Sequence, residues 1–171
     1  MKSGSHPLLR LGLGLLLVWV AFAAYTVLSR KTMLPDVYLT TLEGKALTSA
    51  DLRGKVVLVN FWATTCSVCV HEMPRIVETW NTFAPRGFDT VAVAMSYDPP
   101  SYVANYARLH GLPFHVALDV NGDAARSFGD IHLTPTSFLI DRQGRIVRQY
   151  QGEPDFEQLQ QLVDELLKQP A

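Results

Sequence analysis

Two cysteines, Cys66 and Cys69, are the residues of this sequence whose type and spacing suit redox chemistry. They lie between an apolar run that ends near Trp62 and a stretch from Ser67 onward that suits a helix. A cysteine at a helix N-terminus faces unpaired backbone N–H groups and the positive end of the helix dipole. Both favour the thiolate, so we expect the pKa of Cys66 to fall from ~8.5 into the ~3.5–7.5 range of such sites.

The spacing of the two cysteines brings the second sulfur round the first helical turn and within disulfide reach. We therefore predict that Cys66 is the exposed nucleophile, that Cys69 is the more buried resolving thiol, and that exchange passes through a mixed disulfide. Half of a zinc site has the same spacing, but the sequence has no second CxxC pair to complete one. A purely structural disulfide would close a loop too short to constrain the unfolded chain much. The flanking strand and helix favour the redox role.

Predicted strands and helices alternate along the chain on both sides of this cysteine pair. The β-branched runs 55–61 and 88–95 predict strands that are covered on both faces, and residues 67–83 predict a helix that Pro74 interrupts or kinks. A hairpin turn is expected at Asp141–Gly144, and Ser101 is expected to cap a helix. We predict further strands at 37–41, 114–118, 136–140 and 145–150, helices at 99–110, 122–128 and 154–167, and a helical turn at 48–52. This order predicts an α/β sheet with helices on both faces.

Residues 59–74, VNFWATTCSVCVHEMP, resemble the active-site segment of thioredoxin-fold proteins. More narrowly, they resemble the TlpA/ResA-like family of membrane-anchored, extracytoplasmic thiol–disulfide oxidoreductases. The likeness continues in 54–57 (GKVV), 134–141 (TPTSFLID) and 144–147 (GRIV), and it covers about residues 35–168. It implies a thioredoxin-like fold with a central mixed sheet flanked by helices, an N-terminal β-hairpin and a small central insertion.

The resemblance also implies a substrate-binding set. Pro135 matches the proline that follows a cis bond and packs beside the disulfide, and Thr134 would then present its backbone to an extended client strand. Trp62 matches the aromatic residue that lies against the active-site turn. The alternatives are an ordinary proline at a strand start for Pro135 and a simple core residue for Trp62.

Glu72 is the third predicted catalytic residue, with Cys66 and Cys69. It follows Cys69 by three positions, so it shares a helix face with it, and it matches the acidic residue that the family places near the cysteines. A half-buried carboxylate there would take the proton of Cys69 during resolution. Thioredoxin itself has a buried Asp where this chain has Asn60, so Glu72 is the carboxylate available to the pair. The alternative is a solvated helix charge.

The sequence departs from the family pattern close to the cysteines. Thr65 stands where the family commonly has Trp, and Thr134 stands where it commonly has Leu. The dipeptide Ser67-Val68 between the cysteines is also unusual. Redox potential and partner choice are set at these positions, so the resemblance indicates the reaction type more strongly than its direction or substrate.

Two histidines offer further chemistry. His71 would lower a thiol pKa if it were a cationic neighbour, and otherwise it is an exposed helix residue. His132 would complete a soft copper site with Cys66 and Cys69, although related copper carriers use a wider cysteine spacing. The four methionines are scattered and suggest no thioether site, and we predict no resident metal and no cofactor.

The N-terminus carries an uncharged run, residues 11–28, that is just long enough for a hydrocarbon core that needs ~20 apolar residues. We interpret it as an uncleaved membrane anchor. Its rivals are a cleaved signal peptide, with Ala21-Phe22-Ala23 as the cleavage pattern, and a run buried in a core. We predict two parts, an anchor and tether at 1–34 and a thioredoxin-like domain at 35–171. The second part holds 11 basic and 16 acidic groups, a net charge of −5.

These features together predict an extracytoplasmic protein disulfide reductase. A formal net charge of −1 over 171 residues lacks the excess of basic groups that nucleic-acid binding requires, which argues against that class of function. The resemblance implies an inner-membrane, single-pass protein with its domain in the periplasm. It also implies a transmembrane electron donor that returns the disulfide of the protein to the dithiol. It implies protein thiol and disulfide clients, of the cytochrome c or copper-site maturation type. A disulfide oxidant or isomerase and a copper metallochaperone are the alternative functions.

Overall fold

Strand β3, Val56–Trp62, lies near the middle of the sheet and is buried along its whole length. In this computed structural model, which describes residues 19–20 and 32–170, the sheet has seven strands in the order β2-β1-β5-β4-β3-β6-β7. The strands are β1 Tyr38–Thr41, β2 Ala46–Thr48, β3 Val56–Trp62, β4 Phe88–Ala94, β5 His115–Leu118, β6 Thr136–Ile140 and β7 Ile146–Gln151. β3, β4 and β5 pair in parallel, and the other pairings are antiparallel.

Within residues 32–170, four helices cover the sheet, as the alternation of elements predicts. They are α1 Ser67–Phe83, α2 Pro100–His110, α3 Asp123–Ser127 and α4 Phe156–Leu167, and a 3₁₀ turn, Ala84–Arg86, follows α1. Side chains of α1, α2 and α4 pack on one face of the sheet, and those of α3 and the β1–β2 hairpin pack on the other. This is the predicted thioredoxin-like α/β architecture.

Period-two alternation along β3 divides its side chains between the two layers. Val57, Val59 and Phe61 enter the layer with α3, whereas Leu58 and Trp62 enter the layer with α1. Asn60, the polar residue of the strand, shares the parity of Leu58 and Trp62. It therefore points toward α1, whose N-terminus begins just beyond the strand.

The predicted N-terminal hairpin and central insertion meet each other. β1 pairs with β2 on one side and with β5, the strand of the insertion, on the other. β5 in turn pairs with β4, so the insertion joins the hairpin to the central strands. The buried Asp119 carboxylate accepts hydrogen bonds from the backbone N–H groups of Ala124 and Ala125, which holds the start of α3 against this edge.

The segment that precedes β1 enters the sheet beside the turn between β6 and β7. Met33 forms an antiparallel bridge with Arg145, and the Leu34 N–H donates to the Gly144 carbonyl at 2.8 Å. Gly144 has φ +79°, in the left-handed region that favours glycine. Because β6 runs antiparallel to β3, this turn lies at the end of the sheet opposite the end of β3 that precedes Cys66.

Three local expectations from the sequence are wrong. Ser101 caps no helix, because α2 begins one residue earlier at Pro100 and its N-cap, Pro99, offers no side-chain hydrogen bond. No helical turn forms at 48–52, because Thr48 ends the short strand β2 and residues 49–52 form turns. The helix α1 has the predicted bounds, Ser67–Phe83, but it is not interrupted at Pro74.

The layer between β3, β6, α1 and α4 supports the site from beneath, so a void in it should cost stability. Leu139 of β6 is fully buried in this layer. We expect Leu139→Ala to lower the free energy of unfolding by about 2–5 kcal/mol, as large-to-small core changes do. Leu109→Ala, on the exposed surface of α2, is the matched control and should change it by less than about 0.5 kcal/mol. Equal denaturant midpoints for the two variants would contradict this assignment of the core.

Candidate active site

The two cysteines form a disulfide at the start of α1, with their Cα atoms 5.2 Å apart. Cys66 is the N-cap residue of the helix, and its sulfur accepts a hydrogen bond from the Cys69 backbone N–H at 3.2 Å. The strand-to-helix placement predicted from the sequence is therefore present. An N–H group aimed at the Cys66 sulfur would stabilise a thiolate there once the disulfide opens.

The two sulfur-bearing residues differ in exposure. Cys66 is half-buried, whereas Cys69 is completely buried and packs in the layer with Met73 and Ile76. Of the two sulfurs, that of Cys66 is therefore the accessible one. This is the asymmetry expected of a nucleophilic and a resolving cysteine.

Thr134 and Pro135 lie directly beside the exposed cysteine. The peptide bond between them is cis, and the Thr134 carbonyl oxygen is 3.5 Å from the Cys66 sulfur. In the disulfide the Cys66 sulfur carries no proton, so the two atoms are only in contact. A reduced Cys66 thiol would donate a hydrogen bond to the Thr134 carbonyl oxygen. Pro135 is buried and Thr134 is half-buried, so the backbone of Thr134 is the part nearest to an incoming chain.

Glu72 is fully buried rather than solvated. Its Oε1 accepts a hydrogen bond from the Asn60 side-chain amide at 2.9 Å, and the same amide donates to the Ser137 hydroxyl at 2.9 Å. Among the residues that the structure describes, Glu72 Oε2 has no hydrogen-bond partner. The carboxyl group is therefore held in place through one oxygen, and the other oxygen remains available for a proton.

Burial raises the pKa of Glu72 from its usual value of 4.5 to about 7. Desolvation of the anion is the main cause, the hydrogen bond from Asn60 opposes it, and the negative charge of Glu153 adds to it. At neutral pH such a carboxyl group exchanges a proton readily in either direction, as a general acid–base group must.

Another buried carboxylate, Asp98, fixes the loop that precedes Cys66. It accepts hydrogen bonds from both the backbone N–H and the hydroxyl of Thr64, each at 2.6 Å. Asp98 is 4% exposed and belongs to the loop between β4 and α2. Tyr97, which immediately precedes Asp98, places its hydroxyl 3.3 Å from the Thr134 hydroxyl. The sequence does not predict these contacts, because the loop after β4 carries no recognisable motif.

The other predicted residues are placed as follows. Trp62 is fully buried against the Tyr106 ring, with the ring centroids 5.1 Å apart, so it supports the turn and offers no surface to a client here. His71 is exposed and pairs with Glu153 rather than with a sulfur. His132 is also exposed and pairs with Asp130.

The structure does not bring His132 together with the two cysteines as a copper site would require. In the part of the chain that the structure describes, no three His, Cys, Asp or Glu side chains are grouped to hold a metal ion. Within residues 19–20 and 32–170, no helix has the length and apolarity to cross a bilayer. The predicted anchor, 11–28, lies outside the described residues apart from Trp19 and Val20.

Comparison with known proteins agrees with the geometry. The chain matches the Redoxin family over residues 29–164. It is 35% identical over 132 residues to thiol-disulfide oxidoreductase ResA of Bacillus thuringiensis subsp. konkukian (strain 97-27), covering 77% of this chain and 75% of that protein. It is 30% identical over 152 residues to ResA of Bacillus subtilis (strain 168), covering 89% and 84%.

A solved structure of similar shape is the thiol:disulfide interchange protein, thioredoxin family protein, from Chlorobium tepidum TLS. It superposes with a TM-score of 0.74 at 33% identity, covering 81% of this chain and 98% of that one. A thioredoxin-like sheet that carries a disulfide at a helix N-terminus, together with these relatives, defines a thiol–disulfide oxidoreductase. The chain belongs to the Redoxin family and, within it, to the TlpA/ResA-like group.

The raised pKa of Glu72 makes stability depend on pH in a defined direction. Between pH 4.5 and about 7 the folded protein keeps this proton while the unfolded chain releases it, so stability is lost as the pH rises through that window. At pH 8 the buried anion should cost on the order of 3 kcal/mol. We expect Glu72→Gln to be more stable than the wild type at pH 8 and similar to it at pH 4, measured by denaturant unfolding of the oxidised protein.

Glu78→Gln provides the control for that comparison, because Glu78 is an exposed carboxylate of the same helix. Its stability curve should follow that of the wild type across the whole pH range. If Glu72→Gln also followed the wild type, Glu72 would ionise without a cost and the effect of its burial would be disproved.

Proposed function

We propose that this protein is an extracytoplasmic reductase of client protein disulfides, with Cys66 as nucleophile, Cys69 as resolving thiol and Glu72 as the proton acceptor. The observation that carries the proposal is the contrast between the two sulfurs. One is accessible at a helix N-terminus, and the other is completely buried, one helical turn from a buried carboxyl group.

The reaction balances with these three groups. The Cys66 thiolate attacks a client disulfide, forming a mixed disulfide and releasing one client thiolate. Cys69 then gives its proton to Glu72 and attacks the Cys66 sulfur, which releases the second client thiolate. The client gains two electrons, and Cys66 and Cys69 end as the disulfide seen here.

The surroundings of the cysteines favour a reductant. A strong disulfide oxidant is one whose reduced form is stabilised, commonly through a stabilised thiolate. Here the carboxyl group of Glu72 opposes a thiolate at Cys69, and the imidazole of His71 is turned to Glu153. The N–H group of Cys69 stabilises a thiolate at Cys66 and acts in the opposite sense. We expect the cost of a thiolate at the buried Cys69 to outweigh it, so that the disulfide is favoured over the dithiol and the dithiol gives up its electrons readily.

We further propose that residues 11–28 anchor the protein in the inner membrane with its domain in the periplasm. An oxidising compartment keeps thiols as disulfides, so a reductant there needs electrons from outside it. A transmembrane donor dithiol would supply them. Clients of the cytochrome c or copper-site maturation type fit, because both need reduced cysteines before they take up their metal centre.

The reduction potential tests the direction of exchange. We expect the full-length protein, equilibrated in thiol–disulfide buffers and trapped for free thiols, to have a potential of about −250 mV or lower, in the thioredoxin range. A potential near −120 mV, the range of strong oxidants, would show that the protein oxidises its clients instead.

Cysteine variants test the two roles separately. Cys69→Ser keeps the attacking thiol and lacks the resolving one, so it should accumulate a mixed disulfide with a disulfide-containing client. Cys66→Ser is the matched control and should trap little, because the remaining sulfur is buried. Equal trapping by the two variants, seen on non-reducing gels, would overturn the assignment.

A further inference from the structure

Tyr97 and Asp98 are consecutive residues of the loop between β4 and α2, and they contact opposite sides of the Cys66 site. Asp98 accepts two hydrogen bonds from Thr64, which lies two residues before Cys66. The Tyr97 hydroxyl lies 3.3 Å from the Thr134 hydroxyl, and the Thr134 carbonyl oxygen lies 3.5 Å from the Cys66 sulfur. One loop therefore joins the two backbone segments that border the accessible sulfur.

The base of this loop is attached to the end of β3. The Met95 N–H donates to the Trp62 carbonyl at 3.0 Å, and the Asp98 N–H donates to the Met95 carbonyl at 2.9 Å. Asp98 is buried, whereas Tyr97 is 59% exposed. The phenol of Tyr97 therefore extends into solvent from a base that buried contacts hold in place.

The segment that Tyr97 contacts is exposed just before the cis bond. His132 and Leu133 are both exposed, and Leu133 is 66% exposed, so packing does little to order the chain there. The Thr136 hydroxyl donates to the Leu133 carbonyl at 2.8 Å and supports the segment from the side of β6. The hydroxyl of Tyr97 supports it from the other side, at Thr134.

The contact between the two hydroxyl groups is not implied by the family resemblance. Thr134 stands where the family commonly has Leu, and a leucine side chain has no hydrogen-bonding group. The exposed side chain of Tyr97 also lies outside both layers of the described core. The contact therefore indicates a role at the surface of the site rather than in the fold.

We propose that Tyr97 is a positioning residue that holds Thr134 in the orientation in which its backbone pairs with an extended segment of a client protein. Because the Thr134 hydroxyl is attached at Cβ, a hydrogen bond to it also restrains the adjoining backbone. A client strand then meets a backbone edge that is already ordered, so less conformational entropy is lost on binding. This inference rests on the proposed reductase function, because it concerns the binding of that reaction's clients.

Two probes that differ in size test this role with the reduced full-length protein. One is a short peptide whose single cysteine is disulfide-bonded to thionitrobenzoate, and the other is a single blocked cysteine bonded to the same group. The Cys66 thiolate attacks the cysteine sulfur of the probe and displaces the coloured thionitrobenzoate thiolate. Cys69 then attacks the Cys66 sulfur and releases the cysteine or peptide thiol. The peptide offers a backbone that can pair with Thr134, and the single cysteine does not.

We expect Tyr97→Phe to lower the apparent affinity for the peptide probe by about two- to tenfold, the effect of losing one neutral hydrogen bond, with little change in the maximal rate. The rate with the single-cysteine probe should equal that of the wild type, because Cys66 and Cys69 are unaltered. A substitution that merely loosened the site would slow both probes alike.

Substitutions of the partner residue complete the test. Thr134→Val removes the same hydrogen bond, so it should weaken peptide binding, and combining it with Tyr97→Phe should have no further effect. Thr134→Ser keeps the hydroxyl and should retain an affinity close to that of the wild type. Tyr38→Phe is the matched control, because Tyr38 is an exposed tyrosine of β1, and it should react like the wild type with both probes.

Unchanged peptide affinity in Tyr97→Phe, equal slowing of both probes, or additive effects of Tyr97→Phe and Thr134→Val would overturn the role of Tyr97. Cys66→Ser tests the proposed function separately. Release of thionitrobenzoate that persisted in Cys66→Ser would refute the proposed reaction itself. Release that depends on Cys66, together with unchanged kinetics in Tyr97→Phe, would refute the role of Tyr97 alone.

Discussion

The complete burial of β3 on both faces means that a polar side chain on that strand can find hydrogen-bond partners only inside the protein. Asn60 is the polar side chain that this constraint acts on. Its amide donates to Glu72 of α1 and to Ser137 of β6, so one buried side chain connects the helix that carries the cysteines to the strand that follows Pro135. The two halves of the candidate active site are thus joined through the central strand.

The burial that isolates β3 also makes Glu72 a destabilising group. A carboxyl group held by one hydrogen bond in a dry layer favours its neutral form, which costs the folded protein stability at high pH. A solvated glutamate would remain ionised at neutral pH and would be a weak base toward a thiol. Burial therefore weakens the fold and matches the proton affinity of the group to its proposed task, a compromise common at functional sites.

The sequence predicted the strands and helices around the site to within one or two residues, because long apolar runs and a 17-residue helix leave little ambiguity. It failed for β2, whose three residues are too few to show a period. It failed again at Ser101, where Pro100 begins the helix first. The pairing of the cysteines followed from their spacing.

The contacts that hold the site were harder to predict, since they join residues far apart in the chain. Asp98 meets Thr64 across 34 positions, and Asn60 meets Ser137 across 77. A lone Asn in an apolar strand signals that a buried partner exists, yet it does not identify which residue that is. The burial of Trp62 likewise depends on α2, which the local sequence around Trp62 does not reveal.

The bridge between Met33 and Arg145 has a practical consequence. It fixes the point where the chain enters the sheet at the end away from Cys66, about 20 Å off if seven residues of strand are taken as the separation. A linker joined ahead of Thr32 would therefore hold the domain on a resin or an electrode with its disulfide turned to the solution. Immobilised in that way as the Cys69→Ser variant, with Cys66 reduced, the protein would retain disulfide-bonded proteins of an extract as mixed disulfides.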